Sequence, residues 1–448
     1  MGTPEKKQIH LNLFAFATGH HTAAWRAPDS VIEKLGDISY WEELAQTAER
    51  GLLDAVFLAD GQSAGLGGIA NGPGWFLEPI TTLTAMARAT TKIGLVSTIS
   101  STFWQPFHAA RLLGSLDHIS GGRAGINVVT SMTDEEARNH GMEHLPAHPE
   151  RYARAAEFIE VIQKLWDSWP RDAIHADRAG IYTDPAQLQA IDHEGEFFGV
   201  AGPLNLPQSP QGRPVLFQAG ASEPGRDLAA RHAEGIYAVA WDLTMAREYR
   251  ADIHRRAAAL GRDPDRITVM PGLVTYVAET EAAARQKQRE LNELLPVGDS
   301  LHQLAFFIGQ DTSGWELDEA VPELPLLEEF RGPKGRYATV LRIIETTRPT
   351  VRELLGYLAA GGGHATFIGT PEQVADEIER WVDGGGADGF NLMPPALPSG
   401  IEDFVDLVVP VLQERRRFRT SYEGDTLRSH LGALTQKSAP PHPQHRMR

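Results

Sequence analysis

Short runs of aliphatic and β-branched residues recur along this chain, each followed by a longer stretch with helical periodicity. That alternation restricts the fold to an α/β architecture built on a parallel sheet. The runs are Ile9–Phe16, Ala55–Ala59, Lys92–Ile99, Ala124–Val129, Val215–Ala219, Gly235–Val239, Thr268–Val274 and Gly389–Met393. Helices are predicted near Tyr40–Arg50, Pro79–Ala89, Pro106–Ile119, Glu150–Ser168, Gly225–Ala233, Met245–Leu260 and Pro371–Gly384, with a last one across Ile401–Arg417. Pro79, Pro106 and Pro371 suit first turns, where a missing N–H breaks no intrahelical hydrogen bond. Eight strands can close into a barrel or lie open in a doubly wound sheet, and periodicity does not separate the two. The count favours closure into a (β/α)8 TIM barrel. No GxGxxG follows the first strand, as an open dinucleotide-binding sheet would require, and no phosphate-binding GxxxxGKS/T occurs.

Two stretches interrupt the alternation and are predicted insertions in a single domain spanning residues 1–448. One, 169–213, follows the fourth barrel helix; the other, 280–365, follows the seventh strand. Long excursions of a barrel carry lids and specificity loops. The second, with helical patterns over Glu281–Leu295 and Arg336–Ala360, is the candidate lid. Gly65, Gly67 and Gly68 follow the second strand but lead to Pro73 and Trp75 rather than a helix, so they read as a loop. From about residue 423 the chain becomes a polar tail, rich in Pro and His after Ser438.

Composition excludes several classes of function. The 448 residues contain no cysteine, which removes disulfides, thiolate nucleophiles and Cys-ligated metals. A net charge of −17 opposes nucleic-acid binding, which needs a basic surface. The run Arg415–Arg417 reads instead as a helix end that complements the dipole. No apolar run is long enough to span a membrane, and the polar N-terminus lacks a secretory signal's apolar core, so the expected location is the cytoplasm.

The βα loops of a barrel converge on one mouth, so chemistry is sought where strands end. Those positions hold Gly19, His20, His21 and Trp25; Asp60; Ser97 and Thr98; Asn127, Thr130 and Ser131; Gly220, Ala221 and Ser222; and Asn391. Hydrogen-bonding groups dominate and charges are few, which suits a large neutral heterocycle. In Val215–Gly225 the strand breaks at Gly220 and Ser222 stands as N-cap of the next helix, presenting free N–H groups and a positive dipole end. That is a phosphate seat, or else a well-capped turn without a ligand. Arg151 and Tyr152, at the start of a long amphipathic helix, are placed to add to it. His140, His144 and His148 have the spacing of a metal face, but Gly141, Pro146 and Pro149 break the helix they would need, and no metal is expected. Asp60 is open to three roles: general base, metal ligand or acceptor from a ligand. No second mouth carboxylate matches it for glycoside hydrolysis. His20 or His21, one of them pointing inward, is the candidate catalytic imidazole.

The segments HLNLFAFATGHHTAAWR, LDAVFLAD, STISSTFWQPFHAARLLGSLDHISGGRAGINVVTS, HPERYARAAEFIEVIQKLWDSW, SPQGRPVLFQAGASEPGR and GGADGFNLMPPALPSGIEDFVDLVVPVLQERRRFRTSYEG, taken in order, resemble the bacterial luciferase-like flavin monooxygenases. Within that family they are similar to the nitrilotriacetate, dibenzothiophene-sulfone and pristinamycin-synthase branch. The resemblance covers nearly the whole chain and is weakest over 281–365. It implies a barrel that binds FMN as FMNH2, supplied by a separate NAD(P)H:flavin reductase, and reacts it with O2 to oxygenate a small organic substrate through a flavin peroxide. By position, Asp60, Thr98 and His148 would line the ring and ribityl chain, and Tyr152, Ala221 and Ser222 the phosphate, with Gly220, Asn127 and Thr130 beside them. His20 or His21 would stabilise the distal oxygen. A homodimer or homotetramer is expected. The alternatives are a deazaflavin-dependent oxidoreductase and a non-catalytic flavin-binding barrel. Phe14, Phe16, Trp75, Phe103 and Trp104 suit an aromatic or heterocyclic substrate, or equally core packing.

Overall fold

A computed structural model describes residues 7–64, 69–330 and 334–432. Its strands are β1 (His10–Ala15), β2 (Ala55–Leu58), β3 (Gly94–Ser100), β4 (Ala124–Val129), β5 (His193–Glu194), β6 (Gly199–Val200), β7 (Val215–Gln218), β8 (Gly235–Ala238), β9 (Thr268–Val277), β10 (Ala365–Gly369) and β11 (Gly389–Leu392). All but the β5/β6 hairpin form one parallel sheet ordered β10-β9-β11-β1-β2-β3-β4-β7-β8, in which β8 also pairs with β9. That last pairing closes eight strands into the predicted (β/α)8 barrel. The principal helices are α1 (Ile38–Arg50), α2 (Pro79–Ala89), α3 (Pro106–Ser120), α4 (Asp134–Asn139), α5 (His148–Trp166), α6 (Glu223–His232), α7 (Leu243–Ala259), α8 (Glu281–Glu293), α9 (Val297–Ile308), α10 (Lys334–Thr347), α11 (Val351–Ala359) and α12 (Pro371–Asp383). Pro79, Pro106 and Pro371 each stand in a first turn, as expected. Among the described residues, no helix is long and apolar enough to cross a membrane.

The period-two alternation of each strand divides the core in two. Leu11, Leu13, Val56, Leu58 and Leu95 pack outward with Leu44, Leu83 and Trp381 of the helix layer. Phe57, Val96, Phe217 and Met270 pack together inside the barrel. The interior also holds a polar pair: Asn12 donates to Asn391 (Nδ2 to Oδ1, 2.9 Å), and Asn391 donates to the Met270 carbonyl (2.8 Å). Asn391, read from the sequence as a mouth residue, therefore serves this buried pair.

Three expectations are corrected. The second insertion, expected to run to residue 365, ends before it: β10 starts at Ala365 and pairs with the C-terminal half of β9, from Leu273 to Val277. The helical pattern over Arg336–Ala360 is broken at Arg348, which adopts a positive φ of 47°, into α10 and α11. The polar tail starts later than 423: Leu427 and Leu431 join the interior cluster at the base of the barrel, and the Leu427 amide donates to the Gly122 carbonyl (3.1 Å). The glycine cluster at 65–68 and the tail from 433 onward lie outside the described residues.

The segment α8–α11 has an apolar cluster of its own, including Leu304, Tyr337, Val340, Ile343 and Leu354, which packs on Ala23 and Trp241. It is tied to the loop after β1 by Thr22 N–H to the Ala359 carbonyl (3.0 Å), and to the loop after β8 by Trp241 Nε1 to Thr346 Oγ1 (2.9 Å). Both anchors lie at the C-terminal ends of strands, so the insertion sits at the mouth.

Candidate active site

The expected site residues fall on five barrel positions in unbroken spatial order: His20 and His21 after β1, Asp60 after β2, Thr98 on β3, Asn127 and Thr130 at the end of β4, and Gly220, Ala221 and Ser222 after β7. Parallel register makes this possible. Leu58 aligns with Ser97, Thr98 with Asn127, and Val128 with Gln218, which sets the ends of β2, β3, β4 and β7 at one level.

The two adjacent histidines are placed differently. In His21 the Ala23 amide donates to Nδ1 (3.2 Å), so the proton sits on Nε2, which donates to Asn292 Oδ1 of α8 (3.1 Å). Both ring nitrogens are thus engaged by the protein, and the residue is buried. His20 donates from Nε2 to the Phe14 carbonyl (2.9 Å), which leaves Nδ1 as the acceptor of a neutral ring. Its ring lies between Phe14 and Phe16, at centroid distances of 4.5 and 5.6 Å. Burial lowers the pKa of each imidazole from 6.5 to about 4, opposed by the Phe14 carbonyl for His20 and by Asn292 for His21. Both are therefore neutral at physiological pH.

Asp60 accepts from Gln62 Nε2 (2.9 Å). Burial raises its pKa, as do the nearby carboxylates Glu78 and Glu136, while Gln62 opposes the shift. Glu136 caps α4 and also takes the Gln62 amide (3.3 Å), so the loops after β2 and β4 are tied together. Arg151 of α5 fastens the second of these loops by donating to the carbonyls of Thr130 and Ser131. On the strands below, Asn127 Nδ2 donates to Thr98 Oγ1 (3.1 Å). Asn127 Oδ1 is buried and accepts nothing among the described residues. A buried amide oxygen left bare costs about 1–3 kcal/mol, so a donor from a bound ligand would be stabilised there.

Beside it lies the expected phosphate seat. Ser222 caps α6 by accepting from the Gly225 amide (Oγ, 3.3 Å). The amides of Ala221, Ser222 and Glu223 have no acceptor among the described residues. Two glycines bring the chain close to itself: a Cβ on Gly225 would stand 2.9 Å from Gly220 Cα and 3.0 Å from the Tyr152 hydroxyl. Tyr152 is thereby placed against the first turn of α6, with His148 next to it (ring centroids 4.9 Å). Uncommitted amides, a helix N-terminus and a phenol together form a cradle for an anion. The residues present thus fit a planar phosphorylated cofactor: Tyr152, Ala221 and Ser222 could hold its phosphate, and Asp60, Thr98 and Asn127 its polar edge.

His140 and His144 do not join this set. His140 stacks on Phe103 (4.3 Å) and His144 Nδ1 pairs with Asp134 (3.0 Å). Among the described residues, no group of three or more His, Cys, Asp or Glu is placed to hold a metal ion. A polar group that the sequence reading missed faces the barrel interior from the opposite side. The Tyr237 hydroxyl on β8 lies 3.0 Å from His364 Nε2 and 3.1 Å from Met393 Sδ. His364 fits because Gly272 on β9 has no side chain; a Cβ there would come within 2.4 Å of the His364 ring. The glycines at 361–363 just before it were the available signal.

A closed barrel whose mouth carries a neutral imidazole, a polar strand-end belt and an anion cradle defines a cofactor-dependent α/β-barrel enzyme. Comparison with known proteins narrows the class: the family model described as luciferase-like monooxygenase matches residues 11–388, and the chain belongs to that family. It is 46% identical over 96% of its length to N-acetyl-S-(2-succino)cysteine monooxygenase of Bacillus subtilis (strain 168), covering 98% of that protein. It is 42% identical over 97% of its length to nitrilotriacetate monooxygenase component A of Aminobacter aminovorans, again covering 98% of the relative. Among solved structures, riboflavin lyase (RcaE) with modified FMN and riboflavin superposes with a TM-score of 0.82 at 34% identity, over 96% of this chain and 97% of that one. The family expected from the sequence is borne out, and the protein is a monooxygenase.

Proposed function

We propose that the chain is the oxygenase component of a two-component system. It takes FMN in reduced form from a separate NAD(P)H:flavin reductase and uses O2 to oxygenate a small organic substrate. The observation that carries this reading is the pairing of two unmet needs on adjacent strands: the bare Oδ1 of Asn127 and the uncommitted amides at the start of α6. A flavin mononucleotide offers hydrogen-bond donors to the first and a phosphate to the second. The relative named as a component A supports a partner protein.

When bound, reduced FMN supplies the electrons that activate O2. The protein's residues bind, orient and keep the site dry. Tyr152, Ala221 and Ser222 hold the phosphate end, with Gly220 allowing close approach and His148 beside them. Asp60, Thr98, Asn127 and Thr130 set the ring and its side chain. His20, neutral and anchored through Nε2, offers Nδ1 as a hydrogen-bond acceptor above the aromatic floor of Phe14 and Tyr237. His21 fixes the loop that carries His20 by joining it to α8. The insertion α8–α11 acts as the lid that excludes water.

The aromatic surfaces of Phe14, Phe16 and Trp75 favour an aromatic, heterocyclic or sulfur- or nitrogen-containing substrate. The relatives named above act on one compound of each of the last two kinds. The protein works in the cytoplasm as a homodimer or homotetramer, which light scattering checks directly. The reading is tested by mixing the protein anaerobically with photoreduced FMN, adding O2, and following absorbance by stopped flow. A transient distinct from the autoxidation of free flavin supports it. Binding of a reduced deazaflavin but not of reduced FMN overturns it in favour of a deazaflavin oxidoreductase.

A further inference from the structure

The amides of the phosphate seat are aimed by residues that do not belong to it. In a trans peptide the carbonyl of one residue and the N–H of the next point to opposite sides of the chain. Holding two successive carbonyls from one side therefore turns the two following amides to the other. After β7 both carbonyls are held in this way. The Tyr249 hydroxyl of α7 donates to the Gly220 carbonyl (2.9 Å), and Arg226 Nε of α6 donates to the Ala221 carbonyl (3.0 Å). The amides that follow them are those of Ala221 and Ser222, the two residues assigned to the phosphate. The Gly220 amide is used up on its own side, donating to Gln218 Oε1 (2.6 Å).

The two holding side chains also brace each other. The Arg226 guanidinium lies over the Tyr249 ring, 5.0 Å from its centroid, and Nη1 donates to Asp252 (3.1 Å). Asp252 is itself fixed by Arg256 Nε (2.9 Å) and Arg255. Tyr249 is buried. The brace therefore presents two preorganised donors to an anion, so that little ordering is left to be done on binding.

We propose that Tyr249 and Arg226 are positioning residues for flavin phosphate recognition, setting the preference of this barrel for FMN over riboflavin without touching the phosphate. The proposal rests on the FMN reading above, and the test separates the two. Reduced FMN and reduced riboflavin are titrated anaerobically by ultrafiltration against the full-length protein and two variants, Tyr249→Phe and Arg226→Lys. Tyr249→Phe deletes only the hydroxyl. Arg226→Lys keeps the positive charge, so general attraction for an anion survives while the fork that joins Ala221 to Asp252 is lost.

Each variant is expected to weaken FMN binding about fivefold, the worth of a typical hydrogen bond, with riboflavin affinity within about twofold of the parent. An unchanged ratio of FMN to riboflavin affinity in both variants overturns the proposal and leaves the FMN reading intact. Equal weakening of both flavins also overturns it, by showing general damage to the loop. A parent protein that binds the two flavins equally well removes the phosphate seat itself, and the proposal falls with it.

Discussion

Leu427 is expected to be among the most costly single truncations outside the mouth. The side chain is fully buried at the base of the barrel. It occupies space that two strand glycines leave open: a Cβ on Gly94 would stand 2.5 Å from one of its methyls, and a Cβ on Gly125 3.1 Å from the other. In Leu427→Ala the cavity cannot collapse, because β3 and β4 are hydrogen-bonded on both sides within a closed sheet. The loss therefore belongs in the middle of the range for buried leucines, about 3–4 kcal/mol. Spread over the unfolding entropy of 448 residues, that is a fall in melting temperature of only about 3–4 °C. Thermal melts should accordingly be paired with urea midpoints, and compared with Ile119→Ala on the exposed side of α3, where the change should stay within about 0.5 kcal/mol. Reduced-flavin affinity should not change, since the plug and the mouth lie at opposite ends of the barrel. If Leu427→Ala matches Ile119→Ala in both assays, the helix Leu427–His430 does not plug the barrel in solution.

Three further outcomes are expected. Gly225→Ala places a methyl about 3 Å from both Gly220 and the Tyr152 hydroxyl, so reduced FMN should bind at least about tenfold more weakly, by equilibrium ultrafiltration. Asn127→Leu removes the bare buried oxygen at similar volume, and is expected to raise the urea midpoint of the flavin-free protein by about 1 kcal/mol equivalent while weakening flavin binding; lower stability together with unchanged binding would contradict the assignment. Burial keeps His21 neutral down to about pH 4 in the folded protein, whereas the unfolded chain takes up that proton near 6.5. The contribution of His21 is then full above about 6.5, falls as pH drops toward 4 and levels off below; His21→Gln should reduce the slope in that window by about 1.4 kcal/mol per pH unit in urea titrations.

The parts of the molecule that the sequence exposed are those in which one local rule dominates. Strand runs flanked by capped helices disclosed the barrel, and Ser222 at a strand break disclosed the cap of α6. What stayed hidden depends on partners distant in the chain. Leu427, in a mostly polar stretch, looks like tail until Gly94 and Gly125, some three hundred residues earlier, are seen to make room for it. β10 is five residues long and borders the longest insertion, so nothing local distinguishes it from loop; its identity comes from an overlong β9 that has backbone to spare. His20 and His21 are equivalent as letters. They separate because Asn292, 271 positions away, accepts a hydrogen bond from His21 while the Phe14 carbonyl accepts one from His20.

The placement of these groups divides the barrel by task. The polar belt and the anion cradle occupy β1 to β4 and β7, while the insertion touches the mouth at the loops after β1 and β8 and, through Asn71 Nδ2 to Asp299 of α9 (2.8 Å), at the loop after β2. Tyr237, His364 and Met393 lie on that second side, at β8, before β10 and after β11. In the proposed reading, a change of substrate can therefore be written into α8–α11 and the Tyr237 side, away from the cofactor residues on β3, β4 and β7. The plug at the base is separate from both, since Leu427 meets Gly94, Gly122 and Gly125 at the N-terminal ends of β3 and β4. His20 stands where the two sides meet. Its Nε2 is spent on β1 and its ring is packed on Phe14, which itself lies 5.4 Å from Tyr237. In the proposed reading, a reaction at the mouth thus meets an acceptor whose position is fixed by the barrel and whose surroundings the insertion can alter.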